Sequence, residues 1–332
     1  MKTYPRLIIA ATVAFSAVMA PLRAGAEVTE VRIAKQYGLA YLPLLVMEEH
    51  KLIEKHARGA GLGEVTVSWP VLSGGAATND ALISGAVDYV SSGITPLILL
   101  WAKSAGEYKG VAAVNSSPMY LNTTNSTVRT LKDFTDKDRI ALPAVKVSIQ
   151  AVVLQMAVAQ AFGNENFAKL DPLTVTMKHP DGVAALLSPR SEITAHFTTP
   201  PFMFYELRDK RVHTVLDSFK VLGGPHTQVV LSSSKTFGQK NPRVFAAVRA
   251  ALEEASAFIA NDRRAAAELY LKSTKSKETL DEILVEIGRP SVGYGTEPVR
   301  IAPFVDFMYA TGAIKVKPAS WKELFFANPE AK

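Results

Sequence analysis

There is no cysteine anywhere in the 332 residues of the chain. Disulfides, thiolate nucleophiles, iron–sulfur clusters and cysteine-held zinc are therefore excluded, and so is a lipid anchor on an N-terminal cysteine. Past the N-terminus no run reaches 18 unbroken apolar residues, which excludes a later bilayer-spanning helix. A phosphate-binding lysine loop, a G-x-S-x-G elbow and an H-E-x-x-H pair are also missing. The run Gly59-Ala60-Gly61-Leu62-Gly63 precedes its strand instead of following it, so it is no dinucleotide fingerprint. The histidines at 50, 56, 179, 196, 213 and 226 show no compact ligand spacing. No catalytic residue, metal or cofactor is expected, and whether His179, His196 and His226 converge is left open.

Apolar residues make up 48% of the chain and charged residues 20%, an ordinary globular composition. At the N-terminus Lys2 and Arg6 precede an apolar run, Leu7 to Ala20, and Ala24-Gly25-Ala26 supplies a small-x-small cleavage site. Residues 1–26 read as a secretory signal peptide. Its removal deletes Lys2, Arg6 and Arg23 and no acid, so the net charge falls from +6 to +3. That charge calls for no nucleic-acid partner. An exported, cysteine-free, untethered protein fits a bacterial periplasm.

Strands alternate with helices. Val31 to Ala34 reads as a strand, Tyr41 to Leu52 as a helix, and Val65 to Val71 as a strand ending at Ser73-Gly74-Gly75. A helix from about Ala77 to Ser84 and a strand at Val87 to Val90 complete a unit of α/β class with a parallel sheet. The pattern then repeats. Arg32-Ile33-Ala34 returns as Arg139-Ile140-Ala141, followed by a helix over Ser148 to Phe162, a strand over Leu173 to Met177 and a helix from about Gly182. ALISGAVDYVSSGITP (Ala81 to Pro96) aligns without gaps on ALLSPRSEITAHFTTP (Ala185 to Pro200), which pairs Ser92 with His196 and Gly93 with Phe197. Further strands are expected at Val212 to Leu216 and Gln228 to Ser232. Asn241-Pro242 opens a long helix as N-cap and first helical residue, and Asn261 caps the next, through Leu271. Trp321, Phe325 and Phe326 dock a helical C-terminal portion. The expected organisation is one lobe from residues 27–115 and 223–332 and a second from 116–222, with a cleft crossed by two hinge segments.

In open α/β sheets ligands bind beyond the carboxyl ends of the strands. Those positions are Lys35 to Tyr41, Ser73 to Ala77 and Ser92 to Thr95 in the first unit. In the second they are Pro143 to Ser148, His179 to Gly182 and His196 to Thr199. The loops are rich in glycine, serine and threonine and poor in carboxylates, and helix N-termini favour anions. Each residue also has a plain structural role open to it. Ser148 is read either as a helix cap or as a ligand contact, Lys146 as solvated or as facing an anion. Tyr37 and Tyr41 are half-buried aromatics or cleft residues, and Trp69 and Trp101 are read as core.

Taken in order, RIAKQYGLAYLPLLVMEEHKLIEKH, the SGG turn, ALISGAVDYVSSGITPLI, IALPAVKVSIQAVVLQ and ITAHFTTPPF resemble one family across nearly all of the mature chain. It comprises the periplasmic substrate-binding proteins of nitrate/sulfonate/taurine-type ABC importers, related to the NMT1-like thiamine-pyrimidine-precursor proteins. The resemblance implies a type II periplasmic-binding-protein fold with two α/β lobes, a ligand cleft and two hinge crossings. It implies a monomer that delivers a small molecule to a cognate ABC permease and its ATPase. The implied ligand-binding positions are Gln36, Tyr37 and Tyr41; Ser73, Gly74, Gly75 and Ala76; and Gly93, Ile94 and Thr95. In the second lobe they are Lys146, Val147 and Ser148, and His196, Phe197, Thr198 and Thr199. The expected ligand is a small organic anion of sulfonate or carboxylate type, or a planar heterocycle, with His196 donating across the cleft. The fold is shared with thiamine-pyrimidine synthases, whose resemblance would require a cysteine-rich iron-binding segment. A ligand-sensing partner of a receptor is the other alternative.

Overall fold

A computed structural model describes residues 26–327; the signal-peptide reading falls almost wholly outside them. The first unit runs β1 (Glu30–Ala34), α1 (Leu42–Glu49), α2 (Leu52–Gly59), β2 (Thr66–Ser68), α3 (Gly75–Ile83), β3 (Tyr89–Gly93), α4 (Ile94–Lys103) and β4 (Tyr108–Ser116). The second runs β5 (Tyr120–Thr123), β6 (Ile140–Leu142), α5 (Ile149–Phe162), β7 (Thr174–Thr176), α6 (His179–Leu187), β8 (Ala195–Thr198), α7 (Phe202–Glu206), β9 (His213–Asp217) and α8 (Ser218–Leu222). The chain ends with β10 (Thr227–Ser234), α9 (Lys235–Lys240), α10 (Pro242–Asn261), α11 (Arg263–Thr274), α12 (Leu280–Ile287), β11 (Gly293–Tyr294) and α13 (Ala302–Ala310).

Two sheets result, ordered β11-β4-β10-β3-β1-β2 and β7-β6-β8-β5-β9. In each, three parallel strands stand beside an antiparallel strand that has crossed from the other half. β10 pairs antiparallel with β3, and β5 pairs antiparallel with β8. The crossings, Ser116 to Tyr120 and Asp217 to Thr227, agree with the two expected hinge segments.

Packing follows the sequence pattern. Val31 and Ile33 of β1 share a core with Val244, Val248, Leu252 and Ile259, spaced along one face of α10. A second core joins α4 (Ile94, Leu97, Ile98 and Trp101) to α5 (Val152 and Val153) and to α13 (Phe304, Val305 and Met308). The C-terminal portion thus divides, with α10 to α12 on the first sheet and α13 against α5. Phe325 docks in that second core, and Trp69 packs on the first.

Several local expectations are corrected. The helix expected over Tyr41 to Leu52 breaks after Glu49, because Lys51 takes a left-handed φ of 50° and starts α2. Asn241 does not cap α10 with its side chain; its Oδ1 accepts from the Val28 amide at 3.0 Å. The Glu27 carboxylate instead receives the first-turn amides of Arg243 and Val244. Asp262, not Asn261, caps α11, accepting from the Ala265 amide at 2.9 Å.

The gapless alignment of the two units is also displaced. Ile33 pairs with Tyr89, and its counterpart Ile140 pairs with Ala195, two residues beyond the position the alignment assigned. His196 therefore stands where Val90 stands, and Thr198 and Thr199 stand where Ser92 and Gly93 stand. A shift of two keeps every side chain on its face of the strand but moves it along the strand.

Behind the first sheet, burial and the neighbouring Glu278 push the Glu286 carboxyl up to about 8. The folded chain then holds a proton that the unfolded chain releases near pH ~4.3. The native state binds more protons between those values, so this group's contribution to stability falls as pH rises through the window. Glu286→Gln is expected to be more stable than the parent at pH 8 and to lose that advantage at pH 4. Urea unfolding at the two pH values measures it, and an equal effect at both would disprove the assignment.

Candidate ligand cleft

The carboxyl ends of the parallel strands in the two sheets face each other across a narrow cleft. The first wall carries Gln36, Tyr37 and Tyr41 from the segment after β1, Ser73 and Gly75 from the SGG turn, and Gly93 at the end of β3. Opposite lie Pro143, Ser148, Ile149 and Gln150 around the start of α5, His179 at the start of α6, and Thr199 after β8. Gln228 and Val229 of β10 lie between them. Among the described residues, none of those lining the cleft is a lysine, arginine, aspartate or glutamate.

The walls touch. Thr95 donates its hydroxyl to the Val147 carbonyl at 2.9 Å, and Gln228 Nε2 donates to Thr199 Oγ1 at 2.7 Å. The Leu39 amide donates to the Pro200 carbonyl at 3.0 Å. The cavity between the walls measures about 30 Å³. That is room for one or two waters, well short of the several hundred Å³ of a small-molecule pocket. This is a closed arrangement, which must part to admit an organic molecule.

Each wall is braced from behind. The Gln36 amide accepts from the Gly74 amide at 3.1 Å and donates to the Ser91 carbonyl at 3.1 Å, tying β1, the SGG turn and β3 together. Gly74 takes a φ of 81°, and a Cβ there would lie 2.6 Å from the Pro143 carbonyl oxygen of the other wall. Glycine is required here twice, for its backbone angle and for the close approach.

Gln150 Nε2 lies 3.4 Å from His179 Nε2. The other imidazole nitrogen of His179, Nδ1, faces His196 Nε2 at 3.1 Å and the Thr198 hydroxyl at 3.0 Å. His196 Nδ1 continues to Glu206 Oε1 at 2.5 Å, and Asn122 Nδ2 donates to Glu206 Oε2 at 2.9 Å. His196 and Glu206 are fully buried. Burial, and the neighbouring His196, hold the His179 imidazole well below its ordinary value, so it is neutral at pH 7.

A family model described as the NMT1-like family matches residues 24–271. The chain belongs to that family. Comparison with curated proteins gives no match. Among solved structures, the alkanesulfonate-binding protein SsuA of Xanthomonas axonopodis pv. citri bound to MOPS superposes with a TM-score of 0.68 at 18% identity, covering 87% of this chain and 95% of that one. The periplasmic aliphatic sulphonate-binding protein SsuA of Escherichia coli gives 0.66 at 18% identity, covering 92% and 94%. A Candida albicans protein with the generic periplasmic-binding-protein fold gives 0.65 at 13% identity, covering 90% and 94%. At these identities the likeness establishes the fold, as the resemblance implied.

In this NMT1-like chain the expected site residues do not all converge. Gln36, Tyr37, Tyr41, Ser73, Gly75, Gly93, Ser148 and Thr199 line the cleft. Gly74, Thr95 and Val147 make the contacts between walls. Ser148 also caps α5, accepting from the Ala151 amide at 3.3 Å, which bears out its reading as a helix cap. Ala76 and Lys146 are exposed and lie outside the lining, while Ile94 and Phe197 are core. Thr198 is buried behind His179.

His196 is the main correction: it does not reach across the cleft but lies behind His179, at the buried strand position that Val90 occupies in the first unit. Of the histidines whose convergence was left open, His179 and His196 meet. His226 does not join them; its ring contacts Ser218, Phe219 and Phe304. Gln150, His179, Gln228 and Val229 were not among the expected binding residues. His179 did fall in a strand-end loop that the sequence pointed to. Gln228 gave no signal, since a glutamine in an apolar strand is visible as a cleft residue only once β10 is known to be central.

Gly74→Ala would place a methyl group against Pro143 and hold the walls apart. The expected result is a larger radius of gyration by small-angle scattering, with ligand affinity reduced at least tenfold. A scattering profile identical to the parent's would show that the close approach does not govern closure.

Proposed function

We propose that this protein is the extracytoplasmic solute-binding component of an ABC importer, a non-catalytic periplasmic protein. It captures a small organic anion of sulfonate or carboxylate type between lobes 27–115 with 223–332 and 116–222, and presents it to its permease. The observation that carries the ligand class is the convergence of helix N-termini. α3 begins at Gly75, α4 at Ile94, α5 at Ile149 and α6 at His179, all at or beside the cleft. First-turn amides have no acceptor within their own helix, and each N-terminus carries roughly half a positive charge. Backbone donors can therefore receive an anion although no lysine or arginine is among the described residues that line the cleft. Lys35, the cation of the first loop, is paired with Glu48 and lies over Trp69.

The solved relatives support the reading, two of them being named as binders of alkanesulfonate or aliphatic sulphonate. The Thr95–Val147 and Gln228–Thr199 contacts exist only when the walls meet. A ligand that bridges the walls adds to them and shifts the population toward the closed form presented to the permease.

A thermal-shift panel of alkanesulfonates, carboxylates, nitrate and pyrimidines tests the reading. A cognate anion at about a thousand times its dissociation constant should add roughly 4 kcal/mol to stability. A shift with pyrimidines alone would replace the anion by a planar heterocycle. Ser73→Ala and Gln228→Ala should weaken the responding ligand, whereas Lys146→Ala should leave it unchanged.

A further inference from the structure

Outside the cleft the two halves of the molecule also meet through charged side chains, between α7 and α12. α7 is a fixed part of the second wall. Its Glu206 is buried against Asn122 of β5 and His196 of β8, and its Phe202 ring stacks on His179 at 5.5 Å between centroids. α12 is as firmly part of the first half, with Ile283 and Ile287 in the core of the first sheet.

Two contacts join these helices. Arg208, just past α7, places its guanidinium 2.9 Å from Glu282 Oε1 on α12. Arg289, just past α12, lies over the Phe204 ring of α7, 4.2 Å from its centroid. Each half therefore supplies one arginine and receives the arginine of the other.

The receiving groups are held ready by their own half. Glu282 closes the capping box of α12. Its Oε2 accepts from the Thr279 amide at 2.7 Å and the Thr279 hydroxyl at 2.9 Å, which leaves Oε1 to face Arg208. Phe204 packs edge-on against Tyr120 of β5 at 6.0 Å, and Arg208 itself lies over Tyr205 at 4.7 Å. Little side-chain freedom is left to lose when the contacts form. The field extends past the pair: burial raises the carboxyls of Glu278 and Glu286, and the charge of Arg208 opposes the rise in each.

An ion pair this exposed shifts an equilibrium by about fivefold at most. That is minor against unfolding. It is enough to move a balance between open and closed forms, whose minor member is commonly ~0.1–10% populated.

We infer that Arg208 with Glu282, and Arg289 with Phe204, form a latch that biases the two halves toward the closed arrangement before any ligand is bound. The latch goes beyond anion capture and does not rest on the ligand class, so its test uses the ligand-free protein.

A chain without cysteine accepts a single pair of spin labels, at Asp80→Cys on α3 and Ala184→Cys on α6, both exposed positions. Double electron–electron resonance then reads the ratio of short, closed distances to long, open ones. Glu282→Gln keeps the capping box, which glutamine also completes, and removes the charge. It is expected to lower the closed-to-open ratio about threefold at low salt. Salt at ~1 M, where the screening length is ~3 Å, should bring the parent's ratio toward that of the variant. Arg208→Ala should lower the ratio too, and adding Glu282→Gln to it should lower it no further. Equal ratios in parent and Glu282→Gln at low salt, or additive losses in the double variant, would overturn the latch. A failed ligand panel would leave the latch standing, and equal ratios would leave anion capture by the helix N-termini standing.

Discussion

The constraint on which the rest of the structure depends is the exchange of two strands between the sheets. β10 returns from the second half to pair antiparallel with β3, and β5 leaves the first half to pair antiparallel with β8. Each exchange places a crossing segment directly beside a parallel strand, so the carboxyl ends of β1, β3, β6 and β8 are held opposite one another. The loops and helices that follow those strands then have nowhere to point but into the shared cleft. Gln228, on β10 itself, shows the coupling most directly. It bonds Ser117 of the first crossing and Thr199 of the second wall.

That arrangement explains a site without formal charge. A lysine or arginine between closely meeting walls would need a permanent partner, or would be costly to desolvate each time they closed. Helix N-termini deliver positive potential with no such group, because the donors belong to the backbone and are already oriented. Neutral side chains, the glutamines at 36, 150 and 228 and the imidazole of His179, can then fix shape and hydrogen-bond direction. Closure is left to weak contacts such as Thr95 on Val147, which suits a protein that must also reopen.

The buried His196–Glu206 pair belongs to the same logic. Polar groups without water are stable only when every donor meets an acceptor. Asn122, held by Thr214, meets Glu206, and Gly182 closes on His196, so the pair is enclosed by fixed neighbours. The position of one imidazole lining the cleft is thereby tied to groups that never touch the ligand.

The sequence by itself determined the alternation of strands and helices, the two-unit organisation and most of the strand-end loops that line the cleft. Those features rest on local periodicity, turn residues and the order of motifs, which need no distant partner to be read. Eight of the expected residues, among them Gln36, Ser73, Gly93 and Thr199, reach the cleft because strand-end loops point there in any fold of this type. Only the tertiary structure decided that His196 lies behind the cleft wall and that His179 lines the cleft. A two-residue slip of register between the units separates those outcomes, and register is set by pairing across the sheet, through β1 with β3 and β6 with β8. The same holds for Gln228 and Glu206. The chemistry of each depends on a neighbour dozens of residues away or more, brought near by the exchanged strands and by nothing written in the local sequence.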